Sequence, residues 1–175
     1  MKAISPSRGF TLVEAACVLA VCAITATSAA PQLRQMLDQR RLIGTAAELA
    51  ADLQLARTAA IAGNQVVRWT WHAGSGCYVL QTGSAAQCTC GDSGPATCQA
   101  GATALRTVRL EPAGRLTLQT NTASMAFDPL HGTVSPTATL RLSSADGRAI
   151  HHVVNVMGRV RSCSPAAAVV GQPAC

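Results

Sequence analysis

The sequence predicts an α+β protein in which one long N-terminal helix packs on a C-terminal antiparallel β-domain. An apolar block near the N-terminus is followed by apolar residues at three- and four-residue steps, the period of a helix, as far as residue 62. From residue 65 the pattern becomes an alternation with a period of two, which is typical of strands. The 175 residues suffice for one domain plus one long appended helix.

The first half of this helix, residues 10–30, is predicted to cross a membrane. It carries a single charge, Glu14, and about 20 apolar residues are enough to span a bilayer. Lys2 and Arg8 precede the block, which predicts a cytoplasmic N-terminus. The remaining chain is then expected to lie on the periplasmic side of the inner membrane.

Two other N-terminal signals remain as alternatives. A cleaved secretory signal ends in a small-residue site, which residues 28–30 offer, but Pro31 follows that site directly. A lipoprotein signal needs a small residue before its cysteine, and Val21 precedes Cys22. Both alternatives therefore fit the sequence less well than a membrane-spanning helix.

The second half of the helix, residues 31–64, is predicted to be amphipathic. Pro31 is expected to kink it, and Gly63 with Asn64 is expected to end it, because both residues tolerate the left-handed cap conformation. The predicted buried stripe is Leu33, Leu37, Ile43, Ala46, Ala50, Leu53 and Ala60. The charged residues expected at other positions are Arg34, Asp38, Arg41, Glu48 and Asp52.

Residues 65–157 are predicted to form the β-domain. Strands are expected at 67–72, 77–80, 105–110, 115–119 and 139–143, and the clearest hairpin spans 139–157 with its turn at 145–147. Residues 82–102 are rich in Gly, Ser, Ala and Cys without periodicity, which predicts a surface loop. Residues 158–175 are predicted to be an irregular C-terminal tail.

The cysteines divide into two groups. Cys17 and Cys22 fall in the predicted span and are expected to be unpaired. The others are expected to form disulfides in an oxidising compartment, and six cysteines allow fifteen pairings: Cys77, Cys88, Cys90, Cys98, Cys163 and Cys175. Cys163 and Cys175 lie together in the tail, so we predict that they pair, and that Cys77 joins the loop at 88–98 to a strand. A metal site at the clustered cysteines is the alternative, but an oxidising compartment disfavours it, and we predict neither metal nor cofactor.

No pattern in the sequence predicts an enzyme. The string GDSGP at 91–95 resembles a serine-protease nucleophile motif, but it lacks one glycine and has no partner histidine motif upstream. His151 and His152 are adjacent on a predicted strand, so their rings point to opposite faces. Phosphate loops, dinucleotide motifs and paired carboxylates are missing from the sequence. We therefore predict a protein without catalytic residues.

The N-terminal string RGFTLVE at 8–14 resembles the cleavage site of type IV pilins and type II secretion pseudopilins. The resemblance implies that the prepilin peptidase removes residues 1–9 by cutting between Gly9 and Phe10, and then methylates the new amino terminus. Glu14 has a physical use in that setting, because a carboxylate in lipid needs a cation and Phe10 of a neighbouring subunit supplies an ammonium group. The alternative is an ordinary membrane anchor in which Glu14 has no specific role.

The order of elements resembles the FimT/GspH group of minor pilins and pseudopilins. The segment MAFDPLHG at 125–132 is similar to the family pattern before the last hairpin, and MGRVR at 157–161 is similar to the Gly-Arg-x-Arg motif of FimT-like minor pilins. That motif, here Gly158, Arg159 and Arg161, implies DNA capture during natural transformation by a competent cell. It also implies other major and minor pilins as partners. The cysteine-rich loop departs from the family pattern.

The chemistry of the motif agrees with a phosphate ligand. Arginine is always charged and can bond a phosphate through two parallel N–H groups. In an extended segment Arg159 and Arg161 point the same way, about 7 Å apart, close to the spacing of neighbouring phosphates. Gly158 allows a close approach or a free turn of the backbone. The net charge is +6, and residues 99–175 hold seven arginines against three acids.

The sequence favours contact with the backbone of double-stranded DNA. Few aromatic residues are available for base stacking and no recognition helix is apparent, so we expect little sequence preference and a strong salt dependence. The alternative function is a type II secretion pseudopilin, or a structural minor pilin that primes pilus assembly without binding DNA.

Overall fold

The structure is a computed structural model that describes residues 11–91, 94–110, 116–165 and 169–175. The chain divides into two compact units, Met1–Leu37 and Asp38–Cys175. Helix α1 spans Leu12–Gly63, close to the predicted bounds of 10–62, and it continues through Pro31.

The N-terminal part of α1 is apolar and exposed. Its large apolar side chains are exposed, and Leu12, Val13 and Leu19 are each more than two-thirds exposed. This part of the helix is long and apolar enough to cross a membrane. Thr11 caps its start, because the Thr11 hydroxyl accepts a hydrogen bond from the Glu14 amide at 3.2 Å.

The C-terminal part of α1 buries one stripe of side chains in the domain. The stripe is Leu42, Ala46, Leu49, Asp52, Leu53, Ala56 and Ala60. The predicted stripe was therefore wrong in part, since Leu33 and Leu37 are about half exposed and Asp52 is buried. The predicted end of the helix is confirmed: Asn64 adopts a φ of 47°, and the Gln65 amide bonds the Ala60 carbonyl at 3.2 Å.

The described strands all follow α1 along the chain. In chain order they are β1 (Val67–His72), β2 (Cys77–Thr82), β3 (Cys88–Thr89), β4 (Thr97–Cys98), β5 (Ala104–Arg109), β6 (Leu116–Thr120), β7 (Ser124–Phe127), β8 (Val134–Ser135), β9 (Ala138–Ser144), β10 (Ala149–Val154) and β11 (Val160–Cys163). The α+β class is confirmed.

The strands form two main antiparallel sheets and one small hairpin. The first sheet has the order β5-β2-β1-β7-β8, the second has the order β11-β10-β9-β6, and β3 pairs with β4. The predicted hairpin 139–157 is confirmed as β9 and β10. The tail is not irregular throughout, because β11 extends the second sheet, and the loop at 82–102 contains the β3–β4 hairpin.

The core lies between the buried stripe of α1 and one face of each sheet. Trp69, Tyr78 and Phe127 supply its largest side chains from the first sheet, and Leu140 and Ile150 contribute from the second. Buried residues alternate with more exposed ones along β9 and β10, so the opposite face of the second sheet is exposed to solvent. That exposed face carries the site described below.

Asp52 is buried because two partners from the first sheet satisfy its carboxylate. The Tyr78 hydroxyl donates a hydrogen bond to Asp52 at 2.7 Å, and Arg106 Nε lies 2.8 Å from the same Oδ2 atom. Arg106 also reaches Glu48, one helical turn earlier, at 2.6 Å. Burial raises the pKa of Asp52, and burial together with Asp52 raises the pKa of Tyr78. These contacts join α1 to β2 and β5.

The cysteine-rich loop covers the outer face of β2. Cys77 and Val79 are fully buried although they point away from the main core, and disulfides join Cys77 to Cys90 and Cys88 to Cys98. The Ala96 amide bonds the Thr107 hydroxyl at 3.0 Å, which fixes the loop to β5 as well. The expected link from Cys77 to the loop is thereby present, and the loop has a structural use as a cover.

Candidate nucleic-acid interface

The β10–β11 hairpin sets the direction of the two motif arginines. Val153 pairs with Arg161 and Val154 with Val160. The Asn155 amide then bonds the Arg159 carbonyl at 3.1 Å, which continues the antiparallel pairing by one residue. Residues two apart in a strand share a face, so Arg159 and Arg161 both project to the exposed face of the second sheet. Both side chains are exposed.

Gly158 closes the turn before Arg159. Its φ is +69°, and its amide bonds the Asn155 carbonyl at 2.9 Å, while the Asn155 side chain accepts a bond from the Arg159 amide at 3.0 Å. Gly158 is buried, and an added Cβ would lie 2.5 Å from the Gly132 carbonyl oxygen and 3.0 Å from Arg57. The glycine therefore serves the turn and its packing, and faces the protein rather than solvent.

The loop before β8 supports the same turn from the other side. Arg57 of α1 donates a hydrogen bond from Nε to the Gly132 carbonyl at 3.0 Å. Asp128 Oδ1 accepts bonds from the amides of Leu130 at 3.0 Å and His131 at 2.8 Å, and the His131 bond is the largest cause of its lowered pKa. Sequence reasoning missed Arg57 and Asn155, since neither belongs to a motif.

The C-terminus returns beside β11 and is held there. A disulfide joins Cys163, the last residue of β11, to Cys175, which is the pairing that the sequence favours. The buried Ser164 extends the attachment: its amide bonds the Pro173 carbonyl at 2.8 Å and its hydroxyl bonds the Ala149 carbonyl at 2.9 Å. The motif arginines therefore lie on a strand fixed at both ends.

The arginines of the second sheet differ in their partners. Arg148 bonds the Asp146 carboxylate and reaches Gln39 of α1 at 2.6 Å, and its bond is the largest cause that lowers the pKa of Asp146 to about 2. Within the residues that the structure describes, the Arg159 and Arg161 side chains form neither a hydrogen bond nor an ion pair. Their charge is available to an external anion.

The expected processing residues lie at the N-terminus. Gly9 and Phe10 fall outside the described residues. Glu14 is exposed in the first turn of α1. Among the described residues, no cluster of three or more His, Cys, Asp or Glu side chains could hold a metal ion, and the cysteines at 88, 90 and 98 are all in disulfides.

The sequence of the domain matches one family model over most of its length. The model is described as Type II transport protein GspH, and it matches residues 45–158, well over half of the chain. The chain belongs to the GspH family. The matched region ends at Gly158, so Arg159 and Arg161 follow it directly. The curated proteins contain no match to this chain.

Solved structures show the same fold. The type IV minor pilin FimU of Pseudomonas aeruginosa is 18% identical, with a TM-score of 0.54 over 72% of this chain and 93% of that one. The minor pseudopilin EpsH from the Type 2 Secretion System of Vibrio cholerae is 14% identical, with a TM-score of 0.52 over 71% of this chain and 97% of that one. The GspH-family chain thus has the type IV pilin fold.

Proposed function

We propose that this GspH-family protein is a minor pilin of a type IV pilus that binds extracellular double-stranded DNA for uptake in natural transformation. One observation carries the proposal: Arg159 and Arg161 are adjacent on one exposed strand face and have no partner among the described residues. Their positions match the Gly-Arg-x-Arg motif of the FimT-like minor pilins that the sequence resembles.

The geometry suits two neighbouring phosphates. Residues two apart in a strand are separated by about 7 Å, which is close to the spacing of phosphates along one DNA strand. A guanidinium group bonds a phosphate through two parallel N–H groups, so each arginine can hold one phosphate. The Gly158 turn and the Cys163–Cys175 disulfide fix the strand beforehand, which lowers the entropy cost of binding.

The available side chains favour backbone contacts over base readout. Trp69, Tyr78 and Phe127 are buried in the core and cannot stack on bases. The one helix of the described residues, α1, packs on the sheets by its buried stripe. Phosphate contacts carry no sequence information, so we expect weak sequence preference and strong salt dependence.

The route to the pilus follows the family pattern. In this proposal prepilin peptidase cuts between Gly9 and Phe10, and α1 holds the protein in the inner membrane with its domain in the periplasm. The protein then joins other major and minor pilins in the fibre. Glu14 pairs there with the amino terminus of a neighbouring subunit, because a carboxylate in an apolar setting requires a cation.

A second candidate function is a structural one without DNA. The likeness to EpsH and the description of the family model favour a type II secretion pseudopilin, or a minor pilin that primes pilus assembly. The two functions differ in the role of Arg159 and Arg161. These arginines bind DNA in the first function and have no DNA-binding role in the second.

A salt titration separates the two functions. The oxidised full chain in a non-ionic detergent is titrated against a fluorescent random-sequence duplex at several salt concentrations. Replacing Arg159 and Arg161 with Gln should flatten the dependence of log K on log salt by about two units. Replacing Arg34 and Arg40, exposed arginines of α1, removes the same charge elsewhere and should leave the slope unchanged. Equal slopes for the wild type and the Arg159/Arg161 variant contradict the proposed site.

A further inference from the structure

The exposed face of the second sheet continues beyond the motif strand. Arg161 of β11 pairs with Val153 of β10, and Val153 pairs in turn with Thr139 of β9. Two residues further along these strands on the same face, His151 of β10 pairs with Arg141 of β9. Paired residues share a face, so Arg141 lies on the same exposed face as Arg161.

Arg141 resembles the motif arginines in its surroundings. It is exposed, and within the described part of the chain its side chain forms no hydrogen bond or ion pair. It lies two strands and two residues away from Arg161, which corresponds to about 12 Å between the two Cα atoms. One DNA duplex can therefore contact both arginines.

The sheet offers no competing negative charge on this face. The strands β6, β9, β10 and β11 contain no Asp or Glu. The described acid nearest along the chain is Asp146 in the β9–β10 turn, and Arg148 bonds its carboxylate. The four strands therefore contribute arginines to this face and no carboxylate side chain.

A polar groove lies beside Arg141. It has a volume of about 450 Å³ and is lined by Gln119, Thr120, Asn121, Thr139 and Arg141. The Asn121 side-chain oxygen already accepts a bond from the Thr139 amide at 2.8 Å, so its NH₂ group is left to donate outwards. Amide and hydroxyl donors of this kind commonly bond phosphate and sugar oxygens of DNA.

We propose that the exposed face of the β11-β10-β9-β6 sheet extends the DNA-binding site, and that Arg141 binds a third phosphate of the same duplex. The inference rests on the proposed function, because it adds a contact to the site of Arg159 and Arg161. The duplex lies across the strands, from the motif at the β11 edge towards the groove beside β6. Sequence spacing could not indicate this, since Arg141 is far from the motif along the chain.

The test compares salt slopes of matched variants. The oxidised full chain in non-ionic detergent is titrated with a fluorescent 20-base-pair random duplex at 50–200 mM salt. Each phosphate contact contributes about −0.9 to the slope, so three contacts give about −2.7, or about a 40-fold loss of affinity over this range. Arg141→Gln should give about −1.8 and a 12-fold loss, and the Arg159/Arg161 double variant should give about −0.9 and a 3.5-fold loss.

Two controls isolate the contact from general charge and from folding. Arg40→Gln removes one exposed arginine from α1 and should keep the wild-type slope, and Arg141→Lys keeps the charge and should also keep it. Thermal unfolding of Arg141→Gln should match the wild type, because the replaced side chain is exposed without partners among described residues.

The outcomes separate this inference from the function on which it rests. A wild-type slope in Arg141→Gln, with a reduced slope in the Arg159/Arg161 variant, overturns the extension and leaves the motif site in place. A wild-type slope in both variants, or no binding to the duplex at 50 mM salt, overturns both proposals.

Discussion

Replacing Gly158 with Ala tests how the turn positions the motif, and Gly147 provides a matched control. Both glycines have positive φ, +69° and +86°, in turns next to β10. An alanine in the left-handed region costs about 1–2 kcal/mol at either position. At Gly147 nothing lies within 4 Å of the added Cβ, so this conformational cost is the whole effect.

At Gly158 a steric cost is added. The new Cβ would lie 2.5 Å from the Gly132 carbonyl oxygen, a backbone atom that also accepts the Arg57 hydrogen bond. Relieving such an overlap in a packed region costs about 1–3 kcal/mol more. We therefore expect Gly158→Ala to lower the free energy of unfolding by about 2–5 kcal/mol.

Urea unfolding followed by tryptophan fluorescence measures both variants, because Trp69 is fully buried in the core of the domain. The difference between the two free energies of unfolding isolates the steric contribution of Gly132. If Gly158→Ala is no more destabilising than Gly147→Ala, the packing that we assign to Gly158 is wrong.

Three further predictions concern stability. Burial lowers the pKa of His152 to about 4, below its value of 6.5 in the unfolded chain, so protonation favours unfolding and urea stability should fall by about 2 kcal/mol from pH 7 to pH 5. His152→Gln should remove this part of the pH dependence. Tyr78→Phe should cost about 1–3 kcal/mol in the same assay, since it removes a hydrogen bond from the buried Asp52. Replacing Cys163 and Cys175 with Ser should cost about 3 kcal/mol for the opened loop and weaken DNA binding without changing its salt slope.

Local patterns predicted the elements of the fold well. The three- and four-residue spacing of apolar residues and the Asn64 cap predicted where α1 ends. The alternation of apolar and polar residues predicted β1, β2, β5, β6 and β9. If the segment is extended, residues two apart point the same way, so Arg159 and Arg161 are predicted to share a face. The β10–β11 pairing places both on one exposed face. Each of these features depends on residues close together in the chain.

Features that depend on distant partners were not predictable. The sequence predicts that Asp52 is a solvent-exposed acid on the helix. It is buried because Tyr78 and Arg106 of the first sheet bond its carboxylate. The strand β11 was missed because its four residues show no alternation and need β10 beside them. The neighbourhood of Arg141 and Arg161 likewise follows from the strand order, which the sequence does not contain.

The most direct test of DNA binding observes the arginine side chains themselves. In the ¹⁵N-labelled full chain in detergent, each arginine Nε–H group gives its own NMR signal, and a short random duplex is added at low salt. The signals of Arg159 and Arg161 should shift and return towards their initial positions as salt is added, because the contacts are electrostatic. The signal of Arg106, which is bonded to Asp52 and Glu48, should stay unchanged. Bound DNA with unshifted Arg159 and Arg161 signals would contradict the account.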